Sequence, residues 1–504
     1  MLYCSCLDSS CGKPSRRPLH RQLTKQSIIL QTIYNLFLHP LRDYPGPLTW
    51  RATRLTWAIA LQRGFLHRDL LELHIKYGLV IRIAPNEVAY IGTQAYRDIY
   101  ITRPGQAVIE RTHIWLRLQP GEPDTIMSAN EEIHARYRRA FAGSFTEKVV
   151  KDQSPVLEKY VNLMMERFDD LCGHGAGSTI VEIASWFNFA TFDISGDLSF
   201  GDSFGSTAKG EPHPWVEIAC NFGIAVALMI SLNFYHPLQR LLAYTMPVKV
   251  REKMLYHKQL STQKVRKRLQ RTDDRADFIQ SVLRYNKTKD EQNSSFELEH
   301  NMSIVVFAGS EMTNTAMASI IFHLLGAPEV LHRLINEIRS AFVRKDDIDT
   351  TNTSKIEYLA AVMNEGLRLG PAIPYALPRV VPNPGEYIGG KLVPGGTLVS
   401  VNQYPVNRSR LHFSDPDTFK PERFLIHKGN DNLAAFQPFL QGRHMCIGYR
   451  FALAEMRLIL ARLLWSFDIA WAEEPKMRDW GEQQTLILWQ KDPLHVRLSR
   501  RLKY

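Results

Sequence analysis

Apolar and polar positions alternate on both sides of Pro85-Asn86. Leu79 to Ala84 and Glu87 to Ile91 each follow a period of two, which predicts a β-hairpin. Thr397 to Val401 predicts a further strand. From Asn130 to Tyr358 the period becomes mainly helical, with periodic apolar residues in Pro155 to Phe168, Val216 to Ile230 and His300 to Leu325. The last run is apolar almost all round from Ile304 to Phe307, which predicts a long helix through the core. Pro328 stands at a first helical position, and Tyr449 to Trp465 forms another helical run. Helices dominate and the predicted strands cluster near the two ends of the globular part. The predicted fold class is mainly α with a small β portion.

Ile28 to Leu38 is apolar but only eleven residues long, and Gln31 and Asn35 interrupt it. A spanning helix needs about 20 mostly apolar residues. The segment therefore reads as an interfacial helix, a short re-entrant anchor or a piece packed on the domain. No signal peptide is evident. The rigid turn Tyr44-Pro45-Gly46-Pro47 ends this part, so the expected division is a tail at 1–43 and one domain at 44–504. No internal repeat or long low-complexity linker separates further domains. Of the 504 residues, 45% are apolar and 22% charged, which suits one large core.

The net charge of +11 is concentrated in Lys13 to Lys25, Lys249 to Arg271 and Arg497 to Lys503. Such stretches suit anionic lipid or an acidic protein partner. The simpler reading of Lys249 to Arg271 is the solvated face of a helix. No recognition motif accompanies the charge, so no nucleic-acid partner is expected. Six cysteines make no disulfide framework. Cys4, Cys6 and Cys11 crowd the tail, Cys172 and Cys220 stand alone, and a reducing compartment is expected. Asn-x-Ser/Thr triplets at Asn286 and Asn301 read as chance matches.

The sixth cysteine carries the chemistry. In Phe439 to Gly448 (FLQGRHMCIG), Cys446 lies between Gly442 and Gly448, seven residues after Phe439, with Arg443 and His444 just before it. A thiolate needs compensation from backbone N–H groups, a helix N-terminus, a cation or a metal. The two glycines let the backbone fold tightly around the sulfur, and a helix starts directly afterwards. An axial thiolate for haem iron is built in this way, whereas the plain alternative is a core cysteine at a helix start. Three other motifs bear on the choice. Glu365-Gly366-Leu367-Arg368 pairs a carboxylate and a guanidinium at i and i+3, and Pro421-Glu422-Arg423-Phe424 offers a second arginine. A Glu365–Arg368–Arg423 triad would pin the cysteine loop to the core. Ala308-Gly309-Ser310-Glu311 places a glycine inside a helix at a cost of about 1 kcal/mol, implying a close approach to that backbone.

In this order the four motifs resemble one family, the cytochrome P450 haem-thiolate monooxygenases. The similarity runs from about Tyr34 to the C-terminus. It includes YNLFLHPL, YPGP, the run from His134 to Arg139, and Ala452 to Phe467. These details are most similar to the fungal microsomal branch that contains trichothecene and other secondary-metabolite hydroxylases. The resemblance implies the fold of that family, with a long helix crossing the haem. It makes Cys446 the iron ligand of haem b, and Glu365, Arg368 and Arg423 the structural triad. His134, Arg138 and Arg379 become haem-propionate contacts, joined in the cofactor site by Phe439, Arg443, His444 and Gly448.

Two departures stand out. His444 occupies a position where the family usually has arginine, and Arg443 would have to turn inward to substitute for it. Met312 follows Glu311 where the family places a threonine that helps relay protons, and a thioether cannot donate one. Thr313 lies roughly 100° further round the helix, and Thr315 a turn (about 5.4 Å) further along. Glu311, Met312 and Thr313 are the expected distal catalytic residues. The pocket is expected from Arg103 to Met127, Trp186 to Phe234, Ile304 to Met312, Ile373 to Leu377 and Gln483 to Ile487.

The resemblance further implies an NADPH–cytochrome P450 reductase as electron donor, a small apolar terpenoid- or polyketide-type substrate, and the cytosolic face of the endoplasmic reticulum membrane. Met312 keeps a second class open, in which the haem-thiolate site performs rearrangement, dehydration or oxidative coupling. A third reading is a haem binder without activity.

Overall fold

The computed structural model describes residues 27–115, 123–173, 177–235, 248–271, 273, 275–288, 293–425, 429–474 and 477–501. Cys4, Cys6, Cys11 and the basic run at 13–25 lie outside these residues, as does the end of the run at 497–503. Long helices form most of the described chain, with small sheets beside them. Five helices position the site: α1 (Glu131–Ala142), α2 (Ile183–Phe200), α3 (Ser295–Leu325), α4 (Glu357–Leu369) and α5 (Tyr449–Ser466).

The predicted hairpin forms from Val80–Ala84 and Glu87–Tyr90. It extends into a five-stranded sheet through a parallel pairing with Leu398–Val401, then Arg379–Val380 and Glu110–Arg111. Register places Arg111 directly opposite Arg379. Ser178–Glu182 is a strand inside the stretch read as mainly helical, and it pairs with His495–Arg500 near the chain's end. Its partner lies more than 300 residues away, so the local pattern carried no trace of it.

Helix α3 opens with a capping box between Ser294 and Glu297, five residues before the predicted start. It is long and apolar enough to cross a bilayer, yet 67% of its apolar window is buried against neighbours. The stretch from Ile304 to Phe307, expected both in a helix through the core and in the pocket lining, is the more accessible part of the helix. Ile304, Val305, Phe307 and Met312 are half-buried and Ala308 is exposed. The fully buried part is Thr313 to Leu325, polar residues included. Gly309 accounts for its own presence: a Cβ there would lie 2.7 Å from Ser195 Oγ of α2. The close approach is helix packing.

The N-terminal helix Ser27–Leu38 turns its polarity inside out. Asn35 is buried, donating to Ala52 O at 2.8 Å, and Arg82 Nη1 donates to Asn35 O at 2.9 Å. Ile28, Ile29, Leu30, Ile33, Phe37 and Leu38 are exposed. In the C-terminal part of the basic helix Val248–Leu269 the charges are compensated within the fold. Lys264 and Lys267 meet Asp202, Arg266 meets Glu299, and buried Arg268 meets Asp277 at 2.6 Å.

Candidate functional site

Cys446 N–H donates to Phe439 O at 2.8 Å and closes the loop before α5. Leu440 (φ +59°) and Gly442 (φ +74°) take left-handed backbone inside it. At Gly442 a Cβ would fall 2.1 Å from Tyr100 O, so only glycine fits. Gly448 acts differently from the sequence expectation. Its φ is −87° and a Cβ would meet only the Phe145 ring at 3.7 Å, so the bend does not demand glycine. What Gly448 supplies is its amide, which donates to the cysteine sulfur. Burial pushes the Cys446 thiol up, while the Gly448 amide and the Arg138 charge pull it down without reversing the rise. Cys446 thus lies deep in the protein and still keeps exposed surface, so it faces an internal space.

Helix α1 and the strand Arg379–Val380 bring side chains to this loop. Arg138 on α1 donates from Nη1 to Met445 O at 2.5 Å. Arg379 donates from Nη1 to His444 Nδ1 at 2.9 Å. His444 Nε2 lies 3.0 Å from Glu131 Oε1, off the line of an ideal hydrogen bond. His134 stacks on His444 with ring centroids 4.2 Å apart. Burial first, and the neighbouring guanidinium groups after it, push His134 down to about 3 and His444 down to about 4. Both rings are therefore neutral near pH 7. Burial would raise Glu131, but the His444 contact and the surrounding positive groups hold it below the usual carboxylate range.

Sequence reasoning missed Arg111 and Glu131 here. Arg111 is buried beside Arg379, and burial and that neighbour bring it down to about 9. Three guanidinium groups (Arg111, Arg138, Arg379) face one carboxylate, leaving two positive charges. The Nε donors of Arg111 and Arg379 are buried without a partner. Arg443, expected as a substitute for the missing arginine, is exposed and outside the cluster.

Glu131, His134 and His444 also bring three metal-ligand atoms within 4.8 Å of one another. Three adjacent guanidinium groups oppose a cation there, and His444 Nδ1 is already engaged by Arg379. The cluster is an anion site with room for two negative charges. A cysteine donor beside a doubly positive anion site fits a haem with its two propionates.

The triad is assembled and fully buried. Glu365 accepts from Arg368 Nε and Nη2, both at 2.8 Å, and from Arg423 Nε at 3.0 Å. Arg368 Nη1 continues to Asn407 O and Pro416 O, and Arg423 pairs with Asp431, a partner the sequence did not reveal.

On α3, Ile304, Ala308 and Met312 lie at i, i+4 and i+8 and form the accessible stripe. Thr313 is turned away toward α5, where its hydroxyl meets the carboxyl of Glu455. Burial pushes Glu455 up to about 8. Glu311 is buried, accepting from Asn188 Nδ2 at 3.2 Å and pairing with Lys491. Four of the expected pocket segments meet in one apolar cluster, through Trp115, Ile230 with Phe234, Tyr375 with Leu377, and Ile487. Trp57, not foreseen, packs among them.

A mainly helical fold with a loop cysteine, an anion cluster beside it and a long crossing helix defines a haem-thiolate protein. The chain belongs to the cytochrome P450 family, whose model matches residues 45–498. Its similarity to curated proteins runs nearly end to end. It is 36% identical to versicolorin B desaturase of Emericella nidulans over 94% of this chain and 96% of that protein. It is 37% identical to averantin hydroxylase of Dothistroma septosporum, over 93% and 88%. A cytochrome P450 monooxygenase (stcF) of Emericella nidulans is 38% identical, over 93% and 96%. The protein is a cytochrome P450 monooxygenase.

Proposed function

We propose that this monooxygenase inserts one atom of O2 into an apolar secondary metabolite of terpenoid or polyketide type, in a fungal biosynthetic pathway. Electrons come from NADPH through a reductase partner. Cys446 would ligate the iron, and Arg111, Arg138 and Arg379, the last aligned by the neutral His444, would hold the propionates. When bound, the haem supplies a redox-active iron that activates O2. The Gly448 amide and Arg138 temper the charge on the sulfur. The cluster of Trp57, Trp115, Phe234, Leu377 and Ile487 binds apolar carbon and excludes water. Glu311 is the distal group able to hold a proton, since Met312 cannot donate one and Thr313 faces Glu455.

The observation that carries this reading is Cys446, enclosed by protein yet accessible beside a doubly positive cluster. A reduced, CO-bound difference spectrum of the full chain tests it. A thiolate-type Soret band that Cys446→Ala abolishes supports the reading, and soluble wild type that takes up no haem overturns it.

Met312 on the accessible stripe favours a second reading, in which the product gains no oxygen because dehydration, rearrangement or coupling dominates. One relative is named a desaturase. Oxygen-18 content of the product, compared between wild type and Met312→Thr, separates the two. Fully coupled insertion by wild type removes the second reading.

The outward apolar face of Ser27–Leu38 supports docking on the endoplasmic reticulum membrane from the cytosolic side. Membrane flotation with and without residues 1–43 tests this. A truncated chain that floats as well as the full one overturns it.

A further inference from the structure

Arg82 is a fully buried cation with no carboxylate partner among the described residues. Its Nε and Nη2 donate to Pro85 O at 3.0 and 2.6 Å, and Nη1 donates to Asn35 O. Arg51 is held in the same way, with Nη2 donating to Arg42 O at 2.6 Å. Burial, and Arg51 after it, bring Arg82 down to about 10, so it is still charged at pH 7. Carbonyl oxygens satisfy the hydrogens of these groups and leave their charge in place. A third arginine, Arg54, pairs with buried Glu87 at 2.6 Å and lies over the Phe234 ring, 3.9 Å from its centroid. Three guanidinium groups against one carboxylate leave two positive charges.

These charges border a cavity of about 300 Å³, the size of a small-ligand site. Asn35 and Pro85, the two residues that accept from Arg82, both line it, as do Gln31, Tyr34, His39 and Arg54. Burial, and Arg82 after it, push His39 down to about 4, so its ring is neutral near pH 7. His39 Nδ1 accepts from Leu41 N–H at 3.0 Å, which leaves the ring proton on Nε2. Guanidinium, imidazole, amide and phenol groups make the lining rich in donors, and no carboxylate of the described residues stands in it.

The cavity lies beside the outward apolar face of Ser27–Leu38. Gln31, Tyr34 and Asn35 stand at i, i+3 and i+4 on one side of that helix, and exposed Leu30, Ile33 and Phe37 form the adjoining face. Tyr34 belongs to both, lining the cavity while 42% exposed. An anion with an apolar chain attached satisfies both faces at once, whereas inorganic phosphate satisfies only one.

We propose that this cavity binds the headgroup of an anionic phospholipid, with the phosphate oxygens on Arg54, His39 and Tyr34 and the acyl chains along Leu30, Ile33 and Phe37. The proposal deepens the membrane-docking reading, on which it rests, by naming the lipid, and it requires neither haem nor turnover.

Calorimetric titration of the full chain with monomeric dihexanoyl phosphatidic acid tests this, beside dihexanoyl phosphatidylcholine and inorganic phosphate. The expected result is saturable binding of the phosphatidic acid at one site per chain, at least about tenfold tighter than either comparison. Gln31→Glu puts a carboxylate at the cavity from an exposed helix position and weakens that binding by about tenfold or more. Arg54→Gln does the same, and Gln31→Glu stands alone if loss of the Glu87 pair keeps Arg54→Gln from accumulating. Lys355→Gln changes the net charge by the same unit on an exposed turn outside the cavity and leaves binding unchanged. Equal affinity for phosphatidylcholine or for inorganic phosphate overturns the lipid assignment. Equal weakening by Lys355→Gln and Gln31→Glu shows diffuse attraction and overturns the site. The probe is soluble and needs no bilayer, so its outcome is separate from that of the flotation test.

Discussion

Arg379 donates from Nη1 to Nδ1 of His444 at 2.9 Å, and this bond decides the tautomer of a histidine standing where the family usually has arginine. With Nδ1 accepting, the proton sits on Nε2 and faces Glu131. His444 therefore does not hold a propionate by charge. In the proposed haem site it would instead align Arg379 for that contact.

His444→Phe keeps a ring against His134 but strands the Arg379 donor and the Glu131 carboxylate. A buried polar group left unsatisfied costs about 1–3 kcal/mol. The expected result is haem loss about tenfold faster or more, measured by transfer to a haem-scavenging protein. Loss at the wild-type rate would show that the Arg379–His444 bond is unimportant for retention.

Arg111 and Arg443 should behave oppositely. Arg111→Gln removes one of the two surplus charges of the anion cluster and also speeds haem loss, by about tenfold. Arg443→Gln, at an exposed position, leaves the rate unchanged. If Arg443→Gln loses haem faster than Arg111→Gln, the charge balance drawn here is wrong.

The contrast between those two arginines shows where the sequence is readable. Cys446, Gly442 and the Glu365–Arg368 pair sit in short contiguous motifs, and the ordered set of those motifs, through its resemblance to a family, is what singles them out. The helical class and the first hairpin follow likewise from local period. Arg111 gains its role only because sheet register sets it opposite Arg379, 268 positions along the chain. Lys491 reaches Glu311 across 180 positions, and Asp431 joins the triad only through the fold. The accessible stripe on α3 falls within Ile304 to Met312, the stretch expected to line the pocket. An apolar face signals removal from water, and does not say whether protein or an internal space lies against it.

His67, His74 and His323 are buried, and burial pushes the first two down to about 4 and the third to about 3. Between pH 6.5 and about 4 the unfolded chain binds protons on these rings that the folded chain refuses. Stability therefore falls as pH is lowered through this window, by at most about 1.4 kcal/mol per unit for each ring. Urea midpoints measured from pH 7 to 5 should decline, and less steeply in His74→Gln. A flat midpoint across that range contradicts the assignment.

Glu455 acts in the opposite sense. Burial pushes it up to about 8, so from an unfolded value near 4.5 to about 8 the folded chain holds a proton that the unfolded chain has released. Its contribution to stability is present at low pH and lost as pH rises through this range. Glu455→Gln keeps a neutral group beside Thr313 and removes the dependence. The variant should match wild type in urea at pH 5 and exceed it at pH 8. Equal midpoints at both values would mean that Glu455 is already ionised in the folded protein.

Ile487 sits at the tip of the hairpin formed by Thr485–Leu486 and Leu488–Trp489 with φ +67°, a left-handed backbone that a β-branched residue adopts at a cost of about 1–2 kcal/mol. Strain of this kind persists where the surroundings hold it, and here the side chain packs against the buried apolar cluster that contains Trp57, Trp115 and Tyr375. Ile487→Asn tolerates the backbone and gives up the packing. The expected outcome is a thermal midpoint that is unchanged or higher, together with weaker substrate binding in a spectral titration. A lower midpoint with unaltered binding would assign Ile487 to the core and remove it from the pocket.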